Sequence, residues 1–170
     1  MDELHIRRDL RPGDVGAIVR LHGTVYGAEH GLDHTFETYV ARSVADAVDG
    51  GFPAADEGVW LVEADGALVG MIALTREDAD AARVRWFVFT PAVRGRGLGR
   101  RLVDEVVAFA DAAGYDRIVL ETFDRLATAA HLYRSHGFVR REARERELWG
   151  QRLTIEQYTR RRPLRAAAAG

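Results

Sequence analysis

The sequence has no cysteine, no lysine and no asparagine, and only four prolines. Without cysteine there is no disulfide, no thiolate metal site and no cysteine nucleophile. Without lysine there is no Schiff-base chemistry and no P-loop lysine, and all 24 basic residues are arginine. Lysine and asparagine both have A-rich codons, so their joint absence points to a GC-rich bacterial genome. Long apolar runs are missing too. The longest, Leu68 to Leu74, contains Gly70 and falls far short of the roughly 20 residues of a spanning helix. The chain opens Met1-Asp2-Glu3, acidic where a signal peptide is basic, which predicts a cytoplasmic protein with no membrane partner. Neither sign of charge dominates: the formal net charge is −2, which argues against wholesale nucleic-acid binding.

What is present fits a globular chain of 170 residues, 47% hydrophobic and 29% charged. Residues 1–159 read as one domain, and the arginine-rich then alanine-rich stretch 160–170 as a frayed tail. Leu4 to Arg7 alternates as a strand. Val15, Ile18, Val19, Leu21 and Val25 recur at helical spacing up to about Tyr26, and Gly27 to Asp33 reads as a loop. A second helix spans about Thr35 to Val48. Val59–Glu63 and Leu68–Leu74 flank Asp65-Gly66, the pattern of a hairpin. Arg83 to Thr90 is a strand ending at Pro91, and Leu98 to Ala113 an amphipathic helix ended by Gly114. A strand (Arg117–Thr122), a short helix (Leu126–His136) and a closing strand pair (Phe138–Trp149, Leu153–Tyr158) follow. This order predicts an α/β (α+β) fold: a mixed, mostly antiparallel sheet with one βαβ crossover and about four helices. A ligand crevice is expected beyond the carboxyl end of the Arg83–Thr90 strand.

The most informative stretch lies there. Arg94-Gly95-Arg96-Gly97-Leu98-Gly99-Arg100-Arg101 joins that strand to the next helix. Its glycines let the backbone turn tightly and crowd several N–H groups together, and the helix adds unpaired donors and a positive dipole end. Arginine supplies charge-assisted donors shaped for phosphate, so a diphosphate is the natural occupant. The glycine spacing is wrong for a Rossmann fingerprint, and a Walker loop needs a lysine. An Arg/Gly-rich nucleic-acid-binding segment is the bland rival.

Arg94-Gly95-Arg96-Gly97-Leu98-Gly99 resembles the (Gln/Arg)-x-x-Gly-x-(Gly/Ala) pyrophosphate loop of the GNAT superfamily of N-acetyltransferases. Ala129-Ala130-His131-Leu132-Tyr133-Arg134-Ser135-His136-Gly137-Phe138 is similar to that family's A-x-x-L-Y-x-x-x-G-F signature. The element order matches along nearly the whole chain. Arg85-Trp86-Phe87, the Ala-His-Leu-Tyr-Arg-Ser run, and Glu147-Leu148-Trp149-Gly150 with Leu153-Thr154 further resemble the acetyltransferase half of MarR–GNAT fusion proteins. There is no room for a winged-helix half, so a free-standing version is expected.

The resemblance implies acetyl-CoA as cosubstrate, no metal, and acetyl transfer to an amine of a small molecule or peptide. The backbone of Arg94, Gly95, Arg96, Gly97, Leu98, Gly99 and Arg100 would hold the diphosphate, with Arg94 and Arg96 at its edge. Phe87, Val88 and Phe89 would run beside the pantetheine arm, and the Val88 N–H would face the thioester carbonyl. Thr128 and Ala129 would complete that wall. Thr128 would stand in for the asparagine that many relatives carry where this chain has Leu126.

Tyr133 matches the family's tyrosine near the sulfur, where a phenol of pKa ~10 would protonate the departing thiolate. It competes with a plain packing role. Where some relatives carry a glutamate early on the loop-preceding strand this chain has Arg83, so Glu121 becomes the candidate base, acting directly or through water; a surface ion pair is its other reading. With no cysteine, direct attack in a ternary complex is favoured over ping-pong transfer. Tyr26, His30, Trp86 and Trp149 are the acceptor-site candidates, with His34, Phe36 and Tyr39 nearby. His22, His30 and His34 do not match a metal-ligand spacing and read as solvated loop residues. The Arg140–Glu147 run reads as a solvated, internally paired strand face. A non-catalytic acyl-CoA sensor remains the principal alternative, and a homodimer stays open.

Overall fold

The computed structural model describes residues 4–163. They form β1 (Leu4–Arg7), α1 (Asp14–His30), α2 (His34–Asp49), β2 (Gly58–Ala64), β3 (Ala67–Arg76) and β4 (Ala81–Phe89). Then come α3 (Leu98–Ala113), β5 (Arg117–Phe123), α4 (Ala127–Ser135), β6 (Val139–Leu148) and β7 (Gln151–Arg161). All seven strands join one sheet, ordered β1-β2-β3-β4-β5-β7-β6. Every neighbouring pair is antiparallel except β4–β5, which the α3 crossover makes parallel. The expected mixed sheet and its four helices are therefore present.

Apolar periodicity decides which face each element buries. Leu102, Val103, Val106 and Ala110 of α3, with Ala130 and Tyr133 of α4, pack on one side of the sheet against Trp60, Ile72, Val84 and Ile118. Ile18, Leu21 and Val25 of α1, with Phe36, Val40 and Val44 of α2, pack on the other against Leu61, Met71, Val88 and Leu153. Each helix face is covered by the strand residues of matching parity. Asp65 and Gly66 both have positive φ (48° and 74°), as the two-residue turn between β2 and β3 demands.

Two boundaries differ from the sequence reading. Helix α1 continues through Gly27 to His30 and stops only at Gly31, which is left-handed (φ 67°) and whose N–H bonds Gly27 O at 3.1 Å. A mid-helix glycine weakens a helix by about 1 kcal/mol, and neighbouring packing overrides that. The expected tail boundary also moves. Arg160 and Arg161 belong to β7, opposite Ile118 and Arg117, and Arg160 grips Asp111 through two bonds of 2.9 and 3.0 Å. Positions 164–170 of that expected tail lie outside the described residues.

One irregularity shapes the centre of the sheet. Trp86 has φ 51°, and the β3–β4 ladder shifts register between Met71 and Ala73. This is a β-bulge: an extra residue that bends β4 and shifts its alternation by one. Before it, Ala82 and Val84 face the α3 side; after it, Phe87 and Phe89 do, while Trp86 and Val88 join the α1–α2 side. The bend carries β4 away from β5. Their pairing covers only Ala81–Arg117, Ala82–Ile118 and Arg83–Val119, although β4 runs on to Phe89 and β5 to Phe123.

Candidate active site

Past those three pairs the diverging strands open a cleft of about 820 Å³, roofed by α1 and α2 and floored by α4. It lies beyond the carboxyl end of β4, the position expected from the topology.

At one end stands the glycine loop. A 3-10 turn (Pro91–Val93) leads from β4 into it, and Gly95 and Gly97 both take φ 76°. The first helical bond of α3 runs from Arg101 N to Gly97 O at 3.0 Å, so the amides of Leu98, Gly99 and Arg100 precede the ladder and lack intrahelical acceptors. A Cβ at Gly95 or Gly97 would meet nothing within 4 Å, so these glycines answer to backbone conformation and to whatever approaches from outside. The loop is thus a donor-rich cradle at a helix N-terminus, which fits a diphosphate.

The arginines divide differently than expected. Arg94 is held by Glu29 of α1 at 2.8 Å and by the Phe89 carbonyl at 2.6 and 3.0 Å, so it braces the loop against α1 and is not free at the edge of an anion. Arg96 is exposed and does not line the cleft. Arg100 does line it. Arg101 pairs with Glu105 one turn on.

Along β4 the hydrogen-bonding direction is fixed by the bulge. Thr90 N donates to Val69 O on β3 at 2.8 Å. Backbone groups alternate sides along a strand, so Val88, opposite Met71, also turns its N–H toward β3. This corrects the expectation for Val88, whose amide belongs to the ladder while its side chain lines the cleft. Phe87 and Phe89 face the cleft. Their carbonyls accept from Tyr26 Oη (3.2 Å) and from Arg94 respectively, leaving their N–H groups as the outward donors. An extended arm fits that edge as a strand would.

Leu126 caps α4 without a side-chain bond and points its side chain into the core. Thr128 and Ala129 line the cleft beside it. Tyr133, 5% exposed, reaches the cleft from α4 between Phe87, Phe138 and Tyr158, with ring centroids 5.8 to 6.3 Å apart. Burial raises its phenol well above the ordinary value. A neutral phenol here is a hydrogen-bond donor.

The other end is aromatic. Tyr26, Phe36, Tyr39 and Trp149 adjoin in sequence, with centroids 4.9, 6.3 and 5.3 Å apart from one ring to the next. Trp149 is delivered by the β6–β7 turn, whose carbonyl accepts from Asp33 N at the start of α2 (3.0 Å). His30 meets Phe123 edge-on at 5.5 Å, and burial lowers its pKa. His34 starts α2 and does not line the cleft. Glu121 faces in from β5 and accepts from Gln157 at 2.8 Å. Arg83 lines the same wall but is claimed by Glu77.

Sequence reasoning missed several wall residues. His22 is no solvated loop residue: it is 3% exposed on α1, its Nδ1 contacts Ile18 O at 2.8 Å and its Nε2 has no partner. Burial drives its pKa down to about 4, so the ring is neutral. Nothing in its helical spacing distinguished a buried ring from a solvated one. Ser43 and Arg85 were also missed, because only the bulge brings them together. Among the described residues, no three His, Asp or Glu side chains gather as a metal site.

Comparison with known proteins agrees with this geometry. A family model described as "Acetyltransferase (GNAT) family" matches residues 26–138. An uncharacterized N-acetyltransferase of Escherichia coli K12, YjgM, is 32% identical over 136 residues, spanning 78% of this chain and 81% of that one. A mycothiol acetyltransferase of Beutenbergia cavernae is 30% identical over 159 residues, spanning 79% of this chain but 54% of the relative. An acetyltransferase structure from Streptococcus agalactiae superposes with a TM-score of 0.72 at 22% identity, covering 94% of this chain and 98% of its own. A GNAT acetyltransferase of Elizabethkingia anophelis with acetyl-CoA bound gives 0.62 at 14% identity, over 95% and 100%. The glycine loop, the split sheet and the sequence match together place this chain in the GNAT family of acetyltransferases.

Proposed function

We propose that this acetyl-CoA-dependent N-acetyltransferase acylates an amine of a small molecule or peptide by direct attack within a ternary complex. The observation that carries the reading is the divergence of β4 from β5 beside a donor-rich helix N-terminus. Bound acetyl-CoA supplies a thioester carbonyl open to nucleophilic attack. The amides from Gly95 to Arg100 hold its diphosphate, and Arg100 adds charge at the edge. Phe89 N–H and the α4 wall at Thr128 and Ala129 orient the arm. Phe87 N–H, in place of Val88, donates where negative charge develops on the thioester oxygen.

Glu121 takes the proton that a protonated amine must shed before it attacks, directly or through water. The neutral Tyr133 phenol donates a hydrogen bond to the departing sulfur. Tyr26, His30, Trp86 and Trp149 surround the acceptor. The segments that resemble the acetyltransferase half of MarR–GNAT proteins, Arg85-Trp86-Phe87 and Glu147 to Gly150, lie at or beside this end. They support placing the chain nearest to that branch, as a cytoplasmic bacterial enzyme.

Release of free thiol from acetyl-CoA across a panel of amines tests the reading, with acceptor-dependent turnover as the expected result. Tight CoA binding with no turnover on any amine would convert the protein to an acyl-CoA sensor. Salt-sensitive nucleic-acid binding that survives saturating CoA would transfer the Arg/Gly loop to another function.

A further inference from the structure

The acceptor end of the cleft is lined by two opposite charges, Arg85 and Glu121, that form no ion pair with each other. Arg85 follows Arg83 on the same face of β4, and Glu121 follows Val119 on the same face of β5. Arg83 and Val119 form the last paired level of the two strands. One further step of two residues along each strand brings Arg85 level with Glu121 across the opening, both lining it. The strands separate at that level, so the two groups stand on opposite walls.

Arg85 is held in place but not neutralised. Its Nε donates to Thr75 Oγ1 at 3.1 Å and its Nη1 to Ser43 Oγ at 3.3 Å, both uncharged acceptors. Trp86 Nε1 donates to the same Ser43 oxygen at 3.1 Å, so the bulge turns both neighbours toward α2 and locks the fork. Glu77, the acid whose charge Arg85 feels, is itself claimed by Arg83. Among the described residues no carboxylate pairs with Arg85, and its Nη2 has no hydrogen-bond partner. A half-buried guanidinium fixed by two hydroxyls presents a preorganised donor to an incoming carboxylate. Glu121 stands on the facing strand, accepts a hydrogen bond from Gln157, and lies close enough to Arg83 for that guanidinium to feel its charge. Tyr39, one helical turn from Ser43, and Trp86 and Trp149 line the same cleft and offer apolar surface.

We propose that the acceptor is a zwitterionic amino-carboxylate with an apolar body, such as an aromatic or aliphatic α-amino acid. Its ammonium faces Glu121, its carboxylate is bound by Arg85, and its side chain packs on the aromatic wall. This rests on the acetyltransferase reading and narrows its substrate class. It also gives Glu121 two uses in sequence: the carboxylate draws the ammonium in, then accepts its proton. The amine nitrogen then forms the new bond to the acetyl carbon, the bond from that carbon to sulfur breaks, and the thiolate leaves beside Tyr133.

The test titrates CoA-saturated protein with L-leucine, L-methionine, L-phenylalanine and L-tryptophan, each beside its decarboxylated amine, in a calorimeter. Thiol-release kinetics on the same pairs accompany the titrations. At least one amino acid is expected to bind at least about tenfold more tightly than its decarboxylated partner, the worth of one charge-assisted contact. Arg85→Gln is expected to erase that difference, and Arg85→Lys, which keeps charge without the fork, to restore part of it. CoA affinity of each variant reports that it has folded. If no amino acid outbinds its decarboxylated partner, or the preference survives Arg85→Gln, the proposal is overturned. Failure of the wild-type protein to bind CoA would instead strike the acetyltransferase reading itself.

Discussion

His22 shows how much one side chain can hold in a cleft wall. Its ring is neutral because burial drives the pKa down to about 4, while the unfolded chain takes up a proton near 6.5. Between those values the unfolded state binds more protons, so stability falls as pH drops through that window. His22→Leu is expected to remove this dependence: relative to the variant, wild type loses about 3 kcal/mol between pH 6.5 and 4. Urea denaturation at several pH values measures it, and parallel curves would show the histidine is not buried neutral.

Tyr133 is the complementary case, a buried hydroxyl among aromatic rings. Tyr133→Phe is expected to lower kcat by roughly 10- to 100-fold while CoA affinity stays within about twofold. Unchanged turnover would reduce the residue to packing. Both roles bear on what the sequence could reveal. Tyr133 stood out because its neighbours form a recognisable run. His22 did not, because a histidine at helical spacing looks the same whether its ring meets solvent or a cavity.

Among the elements, the loop before α3 and strand β4 contrast in legibility. Arg94 to Gly99 announced a tight, donor-rich turn, since glycine is the residue that takes φ 76° without penalty. Gly97→Glu is expected to weaken CoA binding more than about 100-fold by calorimetry, combining left-handed strain with a negative charge set against the diphosphate. Gly97→Ala isolates the strain alone and should cost far less. An unchanged affinity in Gly97→Glu would remove the loop from the binding site.

Strand β4 was legible as a strand but not as a bent one. Trp86 takes a left-handed φ that no local preference signals, and tertiary packing imposes it. From that one residue follow the reversal of parity, the loss of Val88 as an outward donor and the approach of Arg85 to Ser43. The partners of Arg94 were invisible for a similar reason. Glu29 lies 65 residues away on a helix whose end the sequence placed too early, at Tyr26.

At the scale of the whole molecule, two cores sit on opposite faces of one sheet, and three residue pairs hold its centre together. A ligand that spans the divergence should therefore stabilise both halves. CoA at 100 times its Kd is expected to add about 2.7 kcal/mol and raise Tm by roughly 5–10 °C. Hydrogen exchange refines the expectation: the Phe87 and Phe89 amides should gain protection with CoA, whereas Val88 should be protected without it. The opposite pattern would return Val88 to the role first expected of it.

The split has a further consequence for self-association. Diverging strands create two edges in the interior of a sheet, and an exposed edge is a template on which foreign strands can grow. Here α1 covers one side of that opening and α4 the other, and the Phe87 and Phe89 carbonyls are already claimed by Tyr26 and Arg94. A polypeptide strand would have to place its side chains above and below, where α1 and α4 line the cleft. An arm whose sulfur end is unsubstituted carries less of that burden. The same walls that shape the donor site thus act as a sieve by girth, leaving a sheet open at its centre yet closed to its own kind.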